Sequence, residues 1–148
     1  MLVTQKCQYA LRALFELARQ GSRKPIKIAQ IADRQAIPYR FLEVILSQLK
    51  QGGFVESRRG TEGGYRLVLA PREVRVGDVV RFIDGHRPDE ETKAPQDGEG
   101  ARADPDFFSP IWEEARRSVF EVFDATTLAA LVERDQAWRG KYFPNYEI

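Results

Sequence analysis

The chain has 148 residues, of which 43% are hydrophobic and 30% charged, and its formal net charge is +1. This length suffices for one domain, or a small domain with an appended arm, with a buried core, and no apolar run is long enough to cross a bilayer as a helix. With a single cysteine, no signal-peptide pattern and no internal disulfide framework, we expect a cytoplasmic protein.

Charge is distributed unevenly along the chain. Residues 1–75 contain 14 Lys and Arg against 6 Asp and Glu, a net charge of +8, whereas residues 76–148 contain 9 against 16, a net charge of −7. The basic part favours a polyanionic partner such as DNA, and we expect the acidic part to face away from that partner.

The first predicted helix is capped by Thr4 and ends near Gly21. Cys7 lies on its apolar stripe. Two interpretations of this thiol stay open: a small inert side chain in the core, or a redox-sensing thiol that pairs across a dimer. The stripe consists of Cys7, Ala10, Leu11, Leu14, Phe15 and Ala18.

Two short helices on a tight turn come next. Residues 28–35 form the first, and the second runs from Pro38 to Gly52, with Leu42, Ile45, Leu46 and Leu49 at the spacing of one buried face. This pattern predicts a helix-turn-helix whose second helix enters the DNA major groove. Its opposite face holds the candidate contacts that we call the reading face: Tyr39, Arg40, Glu43, Val44 and Ser47.

A β-hairpin is predicted directly after this helix. Strand-like residues 54–58 and 65–69 flank a turn at 59–64, whose three glycines can supply positive φ angles. Arg66 joins the turn arginines as a possible phosphate contact. A leucine stripe alone would indicate only a helix face packed in the core, and a glycine-rich turn alone would indicate only a chain reversal. Together they predict a winged helix-turn-helix with these DNA contacts in the wing: Arg58, Arg59, Gly60, Gly63, Gly64 and Tyr65.

A third segment, residues 76–84, has helical spacing, and a polar stretch follows at 85–108. That stretch reads as a mobile acidic loop, either disordered or a lid over a ligand. His86 at its start is typical of a solvated loop residue, and a ligand or pH-sensing role is the alternative. We therefore assign residues 1–84 to the DNA-binding domain, 85–108 to the loop and 109–148 to dimerisation and the C-terminal tail.

A long helix is predicted from Ser109, which serves as its cap, with Pro110 at the first helical position. Apolar residues cover more than one face, so the helix needs two partners, one of them a second subunit. A short helix at 127–134 and an aromatic end at 138–148 follow, and we expect that end to dock on the dimer or on a partner. The predicted dimer contacts, called the α5 stripe below, are Ile111, Trp112, Ala115, Val119, Val122 and Phe123.

Four stretches resemble the Rrf-type family of bacterial winged-helix regulators: residues 4–14, residues 41–49, the wing sequence Arg-Gly-Thr-Glu-Gly-Gly-Tyr at 59–65, and residues 112–128. The resemblance implies a mainly α fold with a small β-hairpin, a winged helix-turn-helix with a long dimerisation helix. It also implies a homodimer on a dyad-symmetric double-stranded operator, with Arg59 as the wing arginine.

The chain also departs from that family's pattern. Cluster-binding members carry three cysteines in the loop equivalent to 85–108, where this chain has none, so we expect no iron–sulfur cluster, no other cofactor and no metal. Val44 stands where glutamine is frequent. A valine can touch a thymine methyl group but cannot make the paired hydrogen bonds of an amide, so the operator does not transfer from relatives.

The cysteine-free loop and the aromatic end resemble the subgroup of cysteine-metabolism repressors typified by CymR. In that subgroup cysteine synthase is the expected partner, and Tyr146 and Ile148 are the candidate contacts. A docked tail, a small-molecule or thiol-redox signal, and constitutive DNA binding stay open as alternatives. We expect that the protein is not an enzyme, because the sequence has no catalytic triad, no phosphate-binding loop and no set of four metal ligands. The basic wing counts against a protein-interaction module that does not bind DNA.

Overall fold

The structure is a computed structural model, and it describes residues 2–21, 24–85 and 105–144. These residues form six α-helices and one two-stranded antiparallel sheet. The winged helix-turn-helix and its long added helix are thus confirmed as the fold. The elements are α1 (Gln5–Arg19), α2 (Ile28–Gln35), α3 (Tyr39–Gln51), β1 (Val55–Arg58), β2 (Gly64–Leu67), α4 (Val76–Asp84), α5 (Ser109–Ala125) and α6 (Leu128–Tyr142).

Helix α1 lies at the centre of the molecule and packs against α2, α3, α4 and α6. Its predicted cap is confirmed, since the Thr4 hydroxyl accepts a hydrogen bond from the Cys7 N–H at 3.1 Å. Because neighbours surround it, α1 buries Ala13, Glu16 and Leu17 in addition to most of the predicted stripe, of which Leu11 and Phe15 are only half-buried.

The turn between α2 and α3 is tight because Ala36 adopts a left-handed conformation, with φ 49°. That geometry lets the Ile37 N–H donate to the Ala32 carbonyl at 3.0 Å, and it buries the Ile37 side chain. Helix α3 then begins at Tyr39, with Pro38 as its cap residue rather than inside its first turn. All four leucine and isoleucine residues of its predicted buried face lie in the core.

The hairpin pairs Val55 with Leu67 and Arg58 with Gly64. A contribution that the sequence analysis missed comes from Ile26, which exchanges two backbone hydrogen bonds of 2.8 Å with Tyr65. The segment before α2 thereby pairs with the base of the wing through a single β-bridge, so backbone hydrogen bonds join the helix-turn-helix to the wing.

The turn glycines differ from the prediction in one respect. Gly60 and Gly64 have positive φ angles of 108° and 144°, but Gly63 does not. Gly63 is required for space instead, because a Cβ there would lie 2.9 Å from the Arg59 carbonyl carbon and would overlap the Arg58 oxygen. The residue type was predicted correctly for a partly different reason.

A tight joint links the winged body to α5. The Arg81 guanidinium donates two hydrogen bonds of 2.7 Å to the Asp124 carboxylate and lies 4.5 Å from the centre of the Phe120 ring. These hydrogen bonds lower the pKa of Asp124 and raise that of Arg81. Gly77 permits the close approach, since a Cβ there would collide with Asp124.

Two predictions about the last helices were wrong in detail. Ser109 does not cap α5, because the Asp106 carboxylate accepts from the N–H groups of Phe108 and Ser109 at 3.0 and 3.2 Å and takes over that role. Helix α6 is capped by Thr127 but continues to Tyr142 instead of ending at 134. An Arg139–Asp135 ion pair of 3.0 Å at helical spacing supports the added turns.

Several predictions fall on residues that the structure does not describe. His86, most of the loop at 85–108, and the candidate partner contacts Tyr146 and Ile148 lie outside the described residues. The proposed domain boundaries therefore stay predictions. Within the described ranges, none of the helices combines the length and the apolar character needed to span a bilayer.

Glu16 carries the main buried charge among the described residues, and the sequence analysis did not identify it. Its side chain is fully buried, and its carboxylate accepts from Arg19 at 2.7 Å, Gln35 at 2.8 Å, Gln20 at 2.9 Å and Arg34 at 3.1 Å. Burial by itself would raise the pKa of Glu16, but these four donors outweigh it and hold the pKa below its ordinary value. The network ties α1 to the end of α2.

We expect Glu16→Gln to lower the free energy of unfolding by about 2 kcal/mol at pH 7, because it leaves two arginines beside an uncharged, buried partner. Urea denaturation measures this, with Asp33→Asn, an exposed carboxylate on α2, as the matched control. Because the folded pKa is lowered, the contribution is fully present above the unfolded pKa of about 4.3 and is lost as pH falls through the folded pKa. The gap between wild type and Glu16→Gln should therefore close in acid, and a gap independent of pH would contradict this account.

Candidate nucleic-acid interface

The reading face lies on the solvent side of α3, as the helical spacing predicts. Its residues Tyr39, Arg40, Glu43, Val44 and Ser47 are all exposed, with Tyr39 49% and Val44 57% accessible. Because the opposite side of the same helix is fully packed, α3 can enter a groove without unfolding any of the core.

The tip of the wing is also exposed. Arg58, Arg59 and Gly60 are open to solvent, which gives two neighbouring guanidinium groups on a narrow projection. Arg66, predicted as a possible phosphate contact, forms an ion pair with Glu56 on the facing strand, and the phosphate contact stays a prediction. Its charge is thus used within the wing.

Three further predicted wing contacts have a structural role. Gly63 is buried, and Gly64 and Tyr65 are half-buried. The backbone of Tyr65 forms a β-bridge with Ile26. They shape the wing, whereas Arg58, Arg59 and Gly60 are its exposed residues; all six stay predicted DNA contacts.

A hydrogen bond connects the two parts of this surface. The Lys50 ammonium group near the end of α3 donates to the Ser57 hydroxyl of β1 at 2.7 Å. Because Ser57 directly precedes Arg58, the exposed arginines of the wing begin beside the reading helix. The reading face and the wing tip are therefore neighbouring parts of one surface, rich in arginine.

Helix α5 presents a second candidate interface. None of its 17 residues is buried, and three large apolar side chains of the α5 stripe are more than half exposed: Ile111 at 54%, Trp112 at 61% and Val122 at 64%. Phe120 and Asp124 face α4 across the Arg81 joint, so only one side of this helix has a partner within the described part of the chain. Ala115 is also exposed, while Val119 and Phe123 of the stripe are half-buried.

Comparison with known proteins agrees with this geometry. The family model described as "Rrf2: Iron-dependent Transcriptional regulator" matches residues 3–134. An rrf2-like HTH-type regulator of Rhodobacter capsulatus is 49% identical over 87 residues, which span 57% of this chain and 58% of that protein. The chain thus spans little more than half the length of that relative.

Two solved structures are similar over nearly the whole chain. T. potens IscR superposes with a TM-score of 0.76 at 30% identity, covering 93% of this chain and 90% of that one. The global cysteine regulator CymR of Bacillus subtilis superposes with a TM-score of 0.73 at 29% identity, covering 89% and 96%. In sequence, this chain is 32% identical to that CymR over 131 residues, which cover 88% of this chain and 89% of CymR.

The residues of this chain do not fit an iron cluster held by thiolates. The sequence has a single cysteine, Cys7, and its side chain is buried. Burial and then the nearby Asp84 carboxylate raise the pKa of the Cys7 thiol to about 12, which disfavours the thiolate that binds iron. Within the described ranges, no group of three or more His, Cys, Asp or Glu side chains could hold a metal ion. The same properties favour the inert interpretation of Cys7 over the redox-sensing one.

Proposed function

This chain belongs to the Rrf2 family of transcriptional regulators, which are not enzymes, and we propose that it is a homodimeric, sequence-specific DNA-binding repressor. The observation that carries the proposal is the exposure of both the reading face and the wing tip, together with the Lys50–Ser57 hydrogen bond that joins the helix to the wing. Arginine and polar side chains on that surface suit the phosphates and base edges of a duplex.

Dimerisation is supported by the exposed α5 stripe. Members of the Rrf2 family generally act as dimers, and a second copy of α5 would cover the large apolar side chains that this chain leaves open. Two copies related by a two-fold axis present two reading helices, so we propose a dyad-symmetric operator with one wing in each half-site.

Control of cysteine metabolism is the finer proposal. The similarity to CymR supports it. Because the chain has a single, buried cysteine, its function is better inferred from CymR than from relatives that bind an iron–sulfur cluster. We propose that cysteine synthase binds the segment with Tyr146 and Ile148, and that this interaction modulates repression.

Arg59→Ala should weaken operator binding by about 1–3 kcal/mol if Arg59 contacts DNA, and it should reduce the dependence of log affinity on log salt by about one unit. Fluorescence anisotropy on a selected duplex at several salt concentrations measures both quantities. Arg134→Ala, at an exposed arginine of α6, is the matched control and should leave both unchanged. A wild-type protein that binds no duplex at any salt concentration would refute DNA binding itself, and an affinity that does not respond to salt would refute the phosphate contacts.

Val122→Glu should convert the dimer to a monomer, because it places a charge at the centre of an apolar contact. Val122 is 64% exposed in the single chain, so the fold should be retained. Analytical ultracentrifugation gives the mass, and operator affinity should fall by about a hundredfold or more as the second half-site is lost. Val68→Glu, at a valine 52% exposed beside the wing, is the control for mass. A Val122→Glu protein that stays dimeric rules out this interface.

Removal of Ile148 should abolish co-purification with cysteine synthase and leave operator affinity unchanged, because the candidate contact lies far along the chain from the reading face. Pull-down with purified cysteine synthase and anisotropy on the same preparation measure the two effects. The control is Gly140→Ala, a substitution within α6, which should leave both the enzyme interaction and the operator interaction intact. Unchanged binding of the truncated chain to the enzyme would remove the tail from the proposal.

A further inference from the structure

The reading helix exposes more apolar surface than contact with phosphates requires. Phe41 is 63% exposed and Val44 is 57% exposed, one helical turn apart on the same side of α3. Solvated helix faces usually carry charged or polar residues at such positions, and neighbouring exposed apolar residues mark a contact surface. The packing of the fold therefore does not account for the exposure of these two apolar side chains.

Both residues line a groove of about 740 Å³ between α3 and the beginning of α1. The α1 side of the groove is formed by Gln5, Lys6 and Tyr9, and Gln5 donates a hydrogen bond of 2.9 Å to the Tyr9 hydroxyl. The groove is thus apolar along α3 and polar along α1, with a lysine at its edge.

Val44 belongs to this groove and also to the reading face, where Arg40 and Ser47 share its side of the helix. Whatever lies against Arg40 and Ser47 must therefore also lie against Val44. On the proposed function, that neighbour is a base edge in the major groove. The lysine and arginine on the two sides of the patch favour an anionic polymer over an apolar peptide or a neutral small molecule.

We propose that Val44, with Phe41 forming the wall beside it, reads the 5-methyl group of thymine in each half-site of the operator. Thymine is the base that presents a methyl group in the major groove, and an aliphatic side chain can recognise it without a hydrogen bond. The inference rests on the proposed function and adds the base class that this position selects.

The test starts from the full-length dimer and a pool of randomised DNA duplexes, from which a high-affinity operator is selected. Each thymine of that operator is then replaced singly by uracil, which has the same hydrogen-bonding groups but lacks the methyl group. At one thymine or more per half-site, this replacement should weaken binding by about fourfold, the factor that corresponds to about 0.8 kcal/mol for one buried methyl group.

The variant Val44→Ala removes the proposed contact and should bind the thymine and uracil operators with nearly equal affinity. Val68→Ala makes the same change at an exposed valine beside the wing and should keep the fourfold preference. Arg59→Ala should weaken both operators by the same factor, because a wing arginine does not sense that methyl group. Thermal unfolding of each variant shows that the fold is intact.

The outcomes separate this inference from the function on which it rests. Loss of the preference in Val44→Ala alone supports the inference. A wild-type protein that selects an operator but does not distinguish uracil at any position overturns the inference and leaves the DNA-binding proposal standing. A preference that survives in Val44→Ala also overturns it, since the methyl group is then read by another residue. If the protein selects no sequence at all, the proposed function fails and the inference fails with it.

Discussion

The buried carboxylate of Glu16 is the interaction on which the position of the reading helix depends. Four donors surround it, two from α2 and two from the end of α1 and its cap residue Gln20. The Arg12 guanidinium, also on α1, donates to the Gln35 carbonyl at the end of α2. The end of α2 is therefore fixed immediately before the turn at Ala36. Because that turn is only a few residues long, fixing α2 also fixes the direction in which α3 leaves the body. A polar network of this kind specifies one arrangement, since a displaced α2 would leave an unpaired buried charge.

A second polar joint, Arg81 with Asp124, has the corresponding role for α5. Here the α4–α5 contact is strengthened by the Arg75–Thr127 backbone bridge and by the Val76 N–H, which donates to the Thr126 carbonyl at 2.9 Å. The long helix is thus attached to the winged body at its C-terminal end and by several bonds. In a dimer formed through α5, this attachment would set the distance and angle between the two reading helices, and hence the spacing of the half-sites.

The sequence was sufficient to predict the helices, the hairpin and the exposed side of α3, because each depends on local periodicity and on glycine or proline at chain reversals. Features that depend on long-range contacts were missed. Glu16 stands among the buried residues of α1, where a carboxylate is tolerated only because Arg34 and Gln35 of another helix reach it. Likewise, Ile26 has no strand-like neighbours and pairs only because Tyr65 lies beside it. The ion pair between Arg66 and Glu56 was missed as well, because local sequence does not reveal which side chain of the facing strand lies opposite Arg66.

The contrast between α1 and α5 connects the fold with the proposed function. Helix α1 is buried on several sides and contributes Ala10, Ala13 and Leu14 to a core that extends from the winged body to Leu128 of α6. Helix α5 buries no residue and keeps an apolar stripe open. Burial is thus least complete in the added helix. The reading face combines the exposed apolar side chains of Tyr39 and Val44 with charged and polar neighbours, and the wing tip is polar. Water solvates charged and polar side chains readily, so a surface that carries them can remain exposed until DNA binds. An apolar stripe is better covered by a second protein chain. The two exposed surfaces therefore suit two different partners, a nucleic acid and another copy of this chain.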